Sequence, residues 1–388
     1  MIVYTPTEGT IGYALHKRCT PSGRTLYSLR SQVQTGDEIG SSEQFNRPQV
    51  RAVLIFLCHN DNISRVWIII NQGFFHRKSE EKKELMMKRY CKEDFIRIRD
   101  FLADTYAYFE RPHNWTIERW NFSISMARVM NGVSLEAWES QIGIWEDGDK
   151  ILGVVNAEGE DDGEAFFQVA HEDLPRDILT EMFSFCEAHL GKEREGRRVI
   201  HLRIPPGSLQ IEEIAMSRNY LQRPEKEEVS ELCMEQEFRV NLPKGFSFKY
   251  GDEVSPNEKG QAHARAFGYY ENIKYRERAP IGYQLMSLTP DYRADLDIYV
   301  ASPDNEIAAF ATMWYDEVNH IGMLEPVGTI PEYRRMGLGR ASIVQLVTQA
   351  QEKRVRRVYV GSGQDFYRRL GFEPKALYGV WVKSIPER

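Results

Sequence analysis

Residues 329–341 read TIPEYRRMGLGRA and decide how the second half of this chain folds. They follow an apolar run, residues 321–327, that predicts a strand, and they precede residues 341–351, whose apolar side chains recur at the spacing of a buried helix face. Between strand and helix stand an arginine and two glycines, in the order Arg-x-x-Gly-x-Gly. Glycines let the backbone approach an anion closely, and the free N–H groups at a helix start point at it. The stretch therefore predicts an anion-binding cradle.

A Gly-x-Gly turn alone is a weak signal, because many such turns bind nothing. This one is not a P-loop, since no Lys-Ser/Thr pair follows the second glycine, and it lacks the third glycine of a dinucleotide-binding turn. A second segment, QDFYRRLGF at residues 364–372, follows it in the chain. In this order the two segments resemble the GNAT superfamily of acyl-CoA-dependent N-acyltransferases. The resemblance covers roughly residues 290–380.

The resemblance implies acetyl-CoA as the co-substrate, with its pyrophosphate in the cradle, and it implies no metal ion. The residues implied to hold the coenzyme are Val327, Thr329, Arg334, Arg335, Met336, Gly337, Leu338, Gly339 and Arg340. Backbone N–H groups of Val327 and Thr329 are expected to hold the acyl carbonyl. In the family this strand diverges from its neighbour, and the pantetheine arm enters the gap. Residues 361–364 read GSGQ and lack an asparagine that the family often has there, so one coenzyme contact is expected to differ.

Two side chains are the candidate catalysts. The family places a tyrosine beside the thioester sulfur, and Tyr367 matches it; a phenol can protonate a departing thiolate. The alternative interpretation is that Tyr367 is only a buried aromatic residue of the core. Glu325 is the candidate base, expected by strand alternation on the same face as Met323 and Val327. The alternative interpretation is that Glu325 has a structural role and forms hydrogen bonds that bend the strand. Other candidate bases, ranked behind it, are Asp316, Glu317 and His320.

The chain also contains an internal repeat, in which residues 87–235 follow the same plan as residues 246–383. Helix, hairpin, strand, helix and strand patterns recur in the same order at a nearly constant offset. The predicted fold is α/β, with two tandem GNAT-like domains that are each a twisted mixed sheet flanked by helices. The expected domains are residues 86–240, a degenerate copy, and residues 241–388, the catalytic copy.

The first copy lacks the residues of the cradle. Residues 171–177 read HEDLPRD, with no glycine and three acidic side chains, which would repel a pyrophosphate. Ala215 or Met216 stands where the tyrosine would be. We therefore expect the first copy to cover the second and to help shape the acceptor pocket rather than to catalyse.

Tyrosines near the start of the second copy suggest an acceptor site there. The segment contains Phe267, Tyr269, Tyr270, Tyr275, Tyr283 and Tyr292. Their aromatic rings and polar hydroxyl groups suit a hydroxylated amine, and Trp314 could form one wall of that binding site. The alternative is that these side chains only pack helices together.

Composition limits the other function classes. The net charge of −7 argues against a general nucleic-acid binder. No uninterrupted apolar run reaches membrane-spanning length, so no membrane partner is expected.

Five scattered cysteines without ligand spacing indicate reduced thiols in the cytoplasm. No cysteine lies in residues 241–388, the expected catalytic copy, so we expect direct attack in a ternary complex. The resemblance to tandem members of the family implies a primary amine of a small polar molecule as the acceptor. The alternatives are a protein or peptide N-acetyltransferase and a non-catalytic acyl-CoA sensor. The chain is expected to be a monomer or homodimer.

Residues 1–85 differ from the rest of the chain. They lack clear helical periodicity and are rich in Ser, Thr, Gly and Gln before Gln49. One interpretation is a poorly structured N-terminal extension. The other is a spurious segment, with the real start at Met86 or Met87.

Overall fold

The structure is a computed structural model that describes the side chains of residues 87–159, 163–235 and 237–386. Before these it describes only the backbone of Met86 and of four strands. These strands form two antiparallel hairpins, β1 (Gly12–Cys19) with β2 (Thr25–Gln32) and β3 (Val53–His59) with β4 (Asn62–Ile69). Backbone contacts divide the chain into Met1–Glu81 and Lys82–Arg388. Most of residues 1–85 lie outside the described part, so both interpretations of that segment stay predictions.

The second unit contains the two predicted copies. The elements of the first copy are β5 (Met86–Arg89), α1 (Asp94–Phe109), α2 (Ile117–Phe122), α3 (Arg128–Asn131), α4 (Leu135–Ser140), β6 (Gly143–Asp147), β7 (Lys150–Asn156), β8 (Glu164–Val169), α5 (Arg176–His189), β9 (Lys192–Arg194), β10 (Arg197–Ile204), α6 (Leu209–Ser217) and β11 (Leu221–Cys233). A π-helical turn, Ser123–Ala127, joins α2 to α3.

The second copy repeats this order without the short helices that follow α2 and without a counterpart of β9. Its elements are β12 (Ser247–Tyr250), α7 (Pro256–Ala266), α8 (Ile273–Met286), β13 (Asp297–Ala301), β14 (Ile307–Asp316), β15 (Ile321–Thr329), α9 (Leu338–Glu352), β16 (Arg357–Val360), α10 (Asp365–Arg368) and β17 (Glu373–Pro386). The predicted α/β fold class is confirmed, with mixed-sheet strands flanked by helices in both copies. The boundary between residues 240 and 241 stays a prediction.

The two copies share one sheet of thirteen strands because they exchange their last strands. The order is β12-β13-β14-β15-β16-β11-β17-β10-β8-β7-β6-β5, with β9 paired to β10. Strand β11 ends the first copy but pairs with β16 of the second, and β17 ends the second copy but pairs with β10 of the first. The sequence did not indicate this exchange. It brings the side chains of β11 next to the loop after β16, where Ser230 Oγ donates to Ser362 O at 2.9 Å.

Separate apolar cores lie on the two sides of each half of the sheet. Leu324 of β15 packs with Ile343, Leu346 and Val347 of α9. On the other face, Met323 packs with Tyr359 and Tyr378. Burial of these side chains supplies most of the stability of such layers.

Asp297 anchors a buried polar cluster in the second copy. Its carboxylate accepts hydrogen bonds from Lys259 Nζ at 2.9 Å, Tyr292 OH at 2.7 Å and Thr312 Oγ1 at 2.7 Å. The side chain of Asp297 is fully buried and that of Lys259 is nearly so. A buried charge that loses its partner is strongly destabilising.

We expect Asp297→Ala to lower the free energy of unfolding by about 3–5 kcal/mol, because the Lys259 ammonium would stay buried without a counter-ion. Chemical denaturation measures it. Asp295→Ala is the matched control: Asp295 is half-exposed and pairs with Arg293 and Lys353, so its loss should cost about 0–1 kcal/mol. Equal losses in the two variants would contradict the structural role of Asp297.

Candidate active site

The predicted cradle is present at the start of α9. Gly337 precedes the helix with a φ of 81°, in the left-handed region that favours glycine. The first helical hydrogen bond runs from Ala341 N–H to Gly337 O at 2.9 Å. The N–H groups of Leu338, Gly339 and Arg340 therefore have no acceptor inside the helix. A Cβ at Gly339 would lie 2.7 Å from Thr329 Oγ1, so only glycine fits there without a shift.

A cavity of about 770 Å³ opens beside the cradle. Eight of the nine residues predicted to hold the coenzyme line it: Val327, Thr329, Arg334, Arg335, Gly337, Leu338, Gly339 and Arg340. The ninth, Met336, is 44% exposed and is not part of the lining. A loop needs only its backbone and its arginines to face an anion, and Met336 supplies no charge.

The arginines of the cradle differ in what they contact. Arg334 donates from Nε to Thr329 O at 3.1 Å and from Nη2 to Ala266 O at 2.8 Å, so its guanidinium ties the loop to the end of β15 and to α7. Among the described residues, Arg335 and Arg340 form no ion pair. Their charges are therefore available to an anionic ligand.

The gap predicted beside this strand is also present. Strands β15 and β16 run parallel but pair only over Ile321–Met323 and Arg357–Tyr359. Beyond that point they diverge, and the cavity lies between them. Ile330 N–H bonds to Ala308 O of the neighbouring β14 side. Because N–H directions alternate along a strand, those of Thr329 and Val327 point the other way, into the gap.

Glu325 lies at a bulge where the predicted alternation breaks. In the pairing of β14 with β15, Ala311 faces Val327 but Met313 faces Leu324, so β15 carries an extra residue here. Val327 consequently packs against the same core as Leu324, whereas Met323 packs on the opposite face. The expectation that Met323, Glu325 and Val327 share one face is therefore wrong. The signal was present in the sequence, because Pro326 has no N–H for a regular ladder.

The carboxyl group of Glu325 has an altered pKa. Burial, and then the negative charges of Glu158 and Glu118, raise its pKa to about 8, while Arg119 opposes the shift. A carboxyl group with this pKa exchanges a proton near neutral pH, as a general base or acid requires.

Tyr367 lies on the opposite side of the gap, in α10. It is 8% exposed, lines the cavity, and packs its ring against Phe366 and Phe372. Burial and the charge of Glu325 raise the pKa of its phenol. The hydroxyl therefore keeps its proton at neutral pH. Tyr367 thus packs as an aromatic residue of the core and also borders the cavity, and its role as a general acid stays a prediction.

A second cavity, of about 270 Å³, meets the first at Glu325 and Gly361. The first copy supplies most of its lining, and the rest comes from β15, the loop after β16 and β17. Its lining residues are Pro112, Asn114, Trp115, Thr116, Glu118, Arg119, Phe122, Glu158, Glu227, Val229, Met323, Glu325, Gly361 and Tyr378. We call it the interdomain cavity. The sequence analysis missed these residues, although Glu118 and Arg119 between two tryptophans were an unusual charged pair in a buried segment.

The tyrosines of the tyrosine-rich segment do not line either of these two cavities. Tyr283 is 1% exposed, and it packs with Met126 and Met130 of the first copy. Tyr269, Tyr275 and Tyr292 pack against the same cluster. Trp314 is also buried there and donates to Glu325 O at 2.7 Å. These rings pack the two copies together, which favours the alternative interpretation of this segment over an acceptor pocket. Of the segment, Phe267 alone borders the larger cavity.

The corresponding place in the first copy is filled. The cavity between the end of β8 and α6 measures only about 10 Å³. The side chain of Asn114 bonds both Val169 N and Val169 O, at 3.0 and 2.8 Å, and so occupies backbone groups at the end of β8. Ala215 O accepts from Tyr220 N–H as Tyr367 O accepts from Phe372 N–H, which identifies Ala215 as the residue in the tyrosine position.

Comparisons with known proteins agree with this geometry. Residues 262–372 match the Acetyltransferase (GNAT) family. A GCN5-related N-acetyltransferase from Sphaerobacter thermophilus is similar in structure, with a TM-score of 0.52 at 15% identity over 78% of this chain and 96% of that one. A tandem GNAT protein from the clavulanic acid biosynthesis pathway has a TM-score of 0.50 at 12% identity, over 78% of this chain and 98% of that one. The comparison with curated protein sequences gave no match.

The predicted resemblance is therefore confirmed. Residues 262–372 are a GNAT acetyltransferase domain, the fold is that of tandem GNAT proteins, and the protein is an acyltransferase. No helix among the described residues is both long and apolar enough to cross a membrane.

Proposed function

We propose that the protein is an N-acetyltransferase that moves an acetyl group from acetyl-CoA to a primary amine of a small polar molecule, by direct attack in a ternary complex. The observation that carries this proposal is the meeting of two cavities at Glu325. The larger cavity fits a long anionic coenzyme, because one end has free helix N–H groups and arginines. The smaller one fits the acceptor.

Acetyl-CoA would supply an activated acyl carbon on a thiol leaving group. The free N–H groups of Leu338, Gly339 and Arg340 would bind its pyrophosphate. Val327 N–H and Thr329 N–H would hold the acyl oxygen as negative charge develops on it.

Two proton transfers complete the reaction. Glu325 would accept the proton that the amine gives up as the C–N bond forms. Tyr367 would donate its phenolic proton to the sulfur as the C–S bond breaks. The products are an N-acetylated amine and the free thiol, and solvent restores both side chains. We further propose a cytoplasmic monomer or homodimer, with neither nucleic acid nor metal involved.

The alternatives have less support. A peptide acceptor needs an open groove, whereas the interdomain cavity is only about 270 Å³. A non-catalytic acyl-CoA sensor would not need both Tyr367 at the gap and a carboxyl group with a pKa near neutral.

The test is thiol release from acetyl-CoA by the full chain, against a panel of polyamines, amino acids, amino sugars and peptides. We expect release with one class of small amine, with the acetylated product identified by mass spectrometry. Calorimetric binding of acetyl-CoA without release across the whole panel would favour the sensor.

The pH dependence tests the role of Glu325. Below its pKa of about 8 the carboxyl group holds a proton and cannot accept another. We expect kcat/KM to rise with pH through this value, because kcat/KM reports the free enzyme. Glu325→Gln should lose this rise and lower kcat about 100-fold.

Glu332→Gln is the matched control for the pH experiment, since Glu332 is exposed on the cradle loop and pairs with Arg265. It should keep the wild-type profile. The same inflection in Glu325→Gln would instead assign the titration to the acceptor amine itself.

A further inference from the structure

Side chains of the first copy hold the short helix that carries Tyr367. This helix, α10, has only four residues, Asp365–Arg368. Isolated helices this short are not stable in water, so contacts outside the helix must hold it in place. A general acid must also stand within hydrogen-bonding reach of the atom that receives its proton. The groups that hold α10 therefore matter to the position of the Tyr367 hydroxyl.

Arg368 joins the end of α10 to the first copy. Its Nη2 donates to the Glu228 carboxylate, and its Nη1 donates to Ser230 Oγ at 2.9 Å. Both partners belong to β11, the strand that the first copy contributes beside β16. Nη1 also donates to Phe372 O at 3.5 Å, and the Phe372 N–H closes the turn on Tyr367 O. The guanidinium thus ties the turn around Tyr367 to a strand of the other copy.

The same two side chains of β11 also hold the loop that enters α10, residues 361–364. Ser230 is fully buried, and its Oγ lies 2.9 Å from Ser362 O and 2.7 Å from Glu228 Oε1, so its single proton bonds one or the other. A Cβ at Gly363 would lie 2.6 Å from Glu228 Oε2. The loop passes so close to this carboxylate that a larger residue would displace it. Glu228 and Ser230 therefore contact the chain both before and after the helix.

The Glu228 carboxylate is ionised in this arrangement. Burial opposes ionisation, but the hydrogen bonds from Ser230 and Arg368 outweigh it and lower the pKa of Glu228. The side chain of Glu228 is 21% exposed and that of Arg368 is 30% exposed, so solvent screens the pair only in part. A charged pair that shares a buried hydroxyl group fixes the geometry of its members more firmly than an isolated surface pair does.

We propose that Glu228 and Ser230 are positioning residues for the acetyl transfer. Acting through Arg368 and the loop before α10, they fix the position of the Tyr367 hydroxyl at the edge of the larger cavity. Neither of them lines that cavity, so they act only through their neighbours. The first copy, which has no cradle of its own, thereby supplies part of the catalytic apparatus of the second. This inference rests on the proposed acid role of Tyr367 and identifies what keeps that residue aligned.

Glu228→Gln tests this role with little change in shape. It removes the charge that holds Arg368, and we expect kcat to fall about 10- to 100-fold while the Kd for acetyl-CoA stays within about threefold, since one hydrogen bond to a charged group is lost. Glu231→Gln is the matched control, because it removes the same charge from the same strand, and Glu231 contacts Tyr359 and Lys375 rather than α10. It should keep the wild-type kcat. Equal values of kcat in the two variants would overturn the inference.

A double-mutant cycle separates positioning from a general loss of structure. If Glu228 acts through the Tyr367 hydroxyl, Glu228→Gln should lower kcat by less than about threefold further in a Tyr367→Phe background. Losses that multiply would show that Glu228 acts independently of this hydroxyl and would overturn the inference, although the acid role of Tyr367 would stand.

Gly363→Ala tests the same contact from the side of the loop. The three atoms nearest to the added Cβ all belong to the Glu228 carboxyl group, so this substitution should lower kcat as Glu228→Gln does. In a Glu228→Ala background the new Cβ meets no carboxyl group, and Gly363→Ala should have no further effect. A further loss there would contradict the route through Glu228.

Fluorine NMR of the full chain, with Tyr367 replaced by 3-fluorotyrosine, tests the positioning without turnover. We expect one sharp resonance in the wild-type background and in Glu231→Gln, and a shifted or broadened resonance in Glu228→Gln. An unchanged resonance in Glu228→Gln would overturn the inference whatever the kinetics show. A chain that releases no thiol but shows the Glu228-dependent resonance would contradict the proposed function and still support the positioning of residue 367.

Discussion

Tyr367→Phe is expected to lower kcat by about 100- to 10,000-fold, the range for loss of a general acid, while the Kd for acetyl-CoA stays within about threefold. The reason is that the substitution removes one hydroxyl group and keeps the ring. The ring packs against Phe366 and Phe372, so the fold should be unchanged. Steady-state kinetics and calorimetry measure the two quantities.

Tyr333→Phe is the matched control, because Tyr333 lines the same cavity and its hydroxyl donates to Glu306 at 3.3 Å. It should retain wild-type kcat. A Tyr367→Phe enzyme with undiminished kcat would remove the acid role and leave the residue as a core aromatic.

Gly337→Glu is expected to weaken acetyl-CoA binding at least 100-fold. The new side chain would bring a negative charge to the anion-binding end of α9, and it would have to adopt the φ of 81° that L-residues rarely take. Isothermal calorimetry with acetyl-CoA measures the effect.

Gly196→Glu separates this charge effect from backbone strain. Gly196 has a φ of 71°, and a Cβ there would also meet nothing within 4 Å, but the residue lies in the turn before β10. It should lose comparable stability and keep full affinity for the coenzyme. Equal affinity of Gly337→Glu and wild type would mean that the coenzyme does not use this cradle.

Local patterns predicted the coenzyme side of the site. The order of strand, glycine turn and helix around Gly337 is encoded within about twenty consecutive residues, so the sequence alone was sufficient. The repeat was likewise visible, because each copy follows the same helical and strand periodicities. Tyr367 followed from its position in a motif.

The acceptor side depended on contacts that no local pattern encodes. Pairing of β11 with β16 joins segments far apart in the chain, and apolar alternation does not specify a strand's partner. The tyrosines after α7 could, from the sequence, either line a binding pocket or pack in a core. Their packing against Met126, which is visible only in the structure, favours the core. Glu118 and Glu158 become relevant only when the first copy lies against β15.

The bulge at Glu325 is an intermediate case. Strict alternation predicted the wrong face for Val327, although Pro326 signals an irregular ladder. The extra residue places the Glu325 carboxyl group where both cavities meet, and this is the central feature of the proposed site.

A crystal structure of the full chain with coenzyme A and the acceptor that has the highest kcat/KM tests this feature most directly. We expect the pyrophosphate at the start of α9, the sulfur beside Tyr367, and the amine nitrogen within hydrogen-bonding distance of Glu325 on the side of Glu118. An amine bound instead among Tyr269, Tyr275 and Tyr292, with the interdomain cavity empty, would contradict the account.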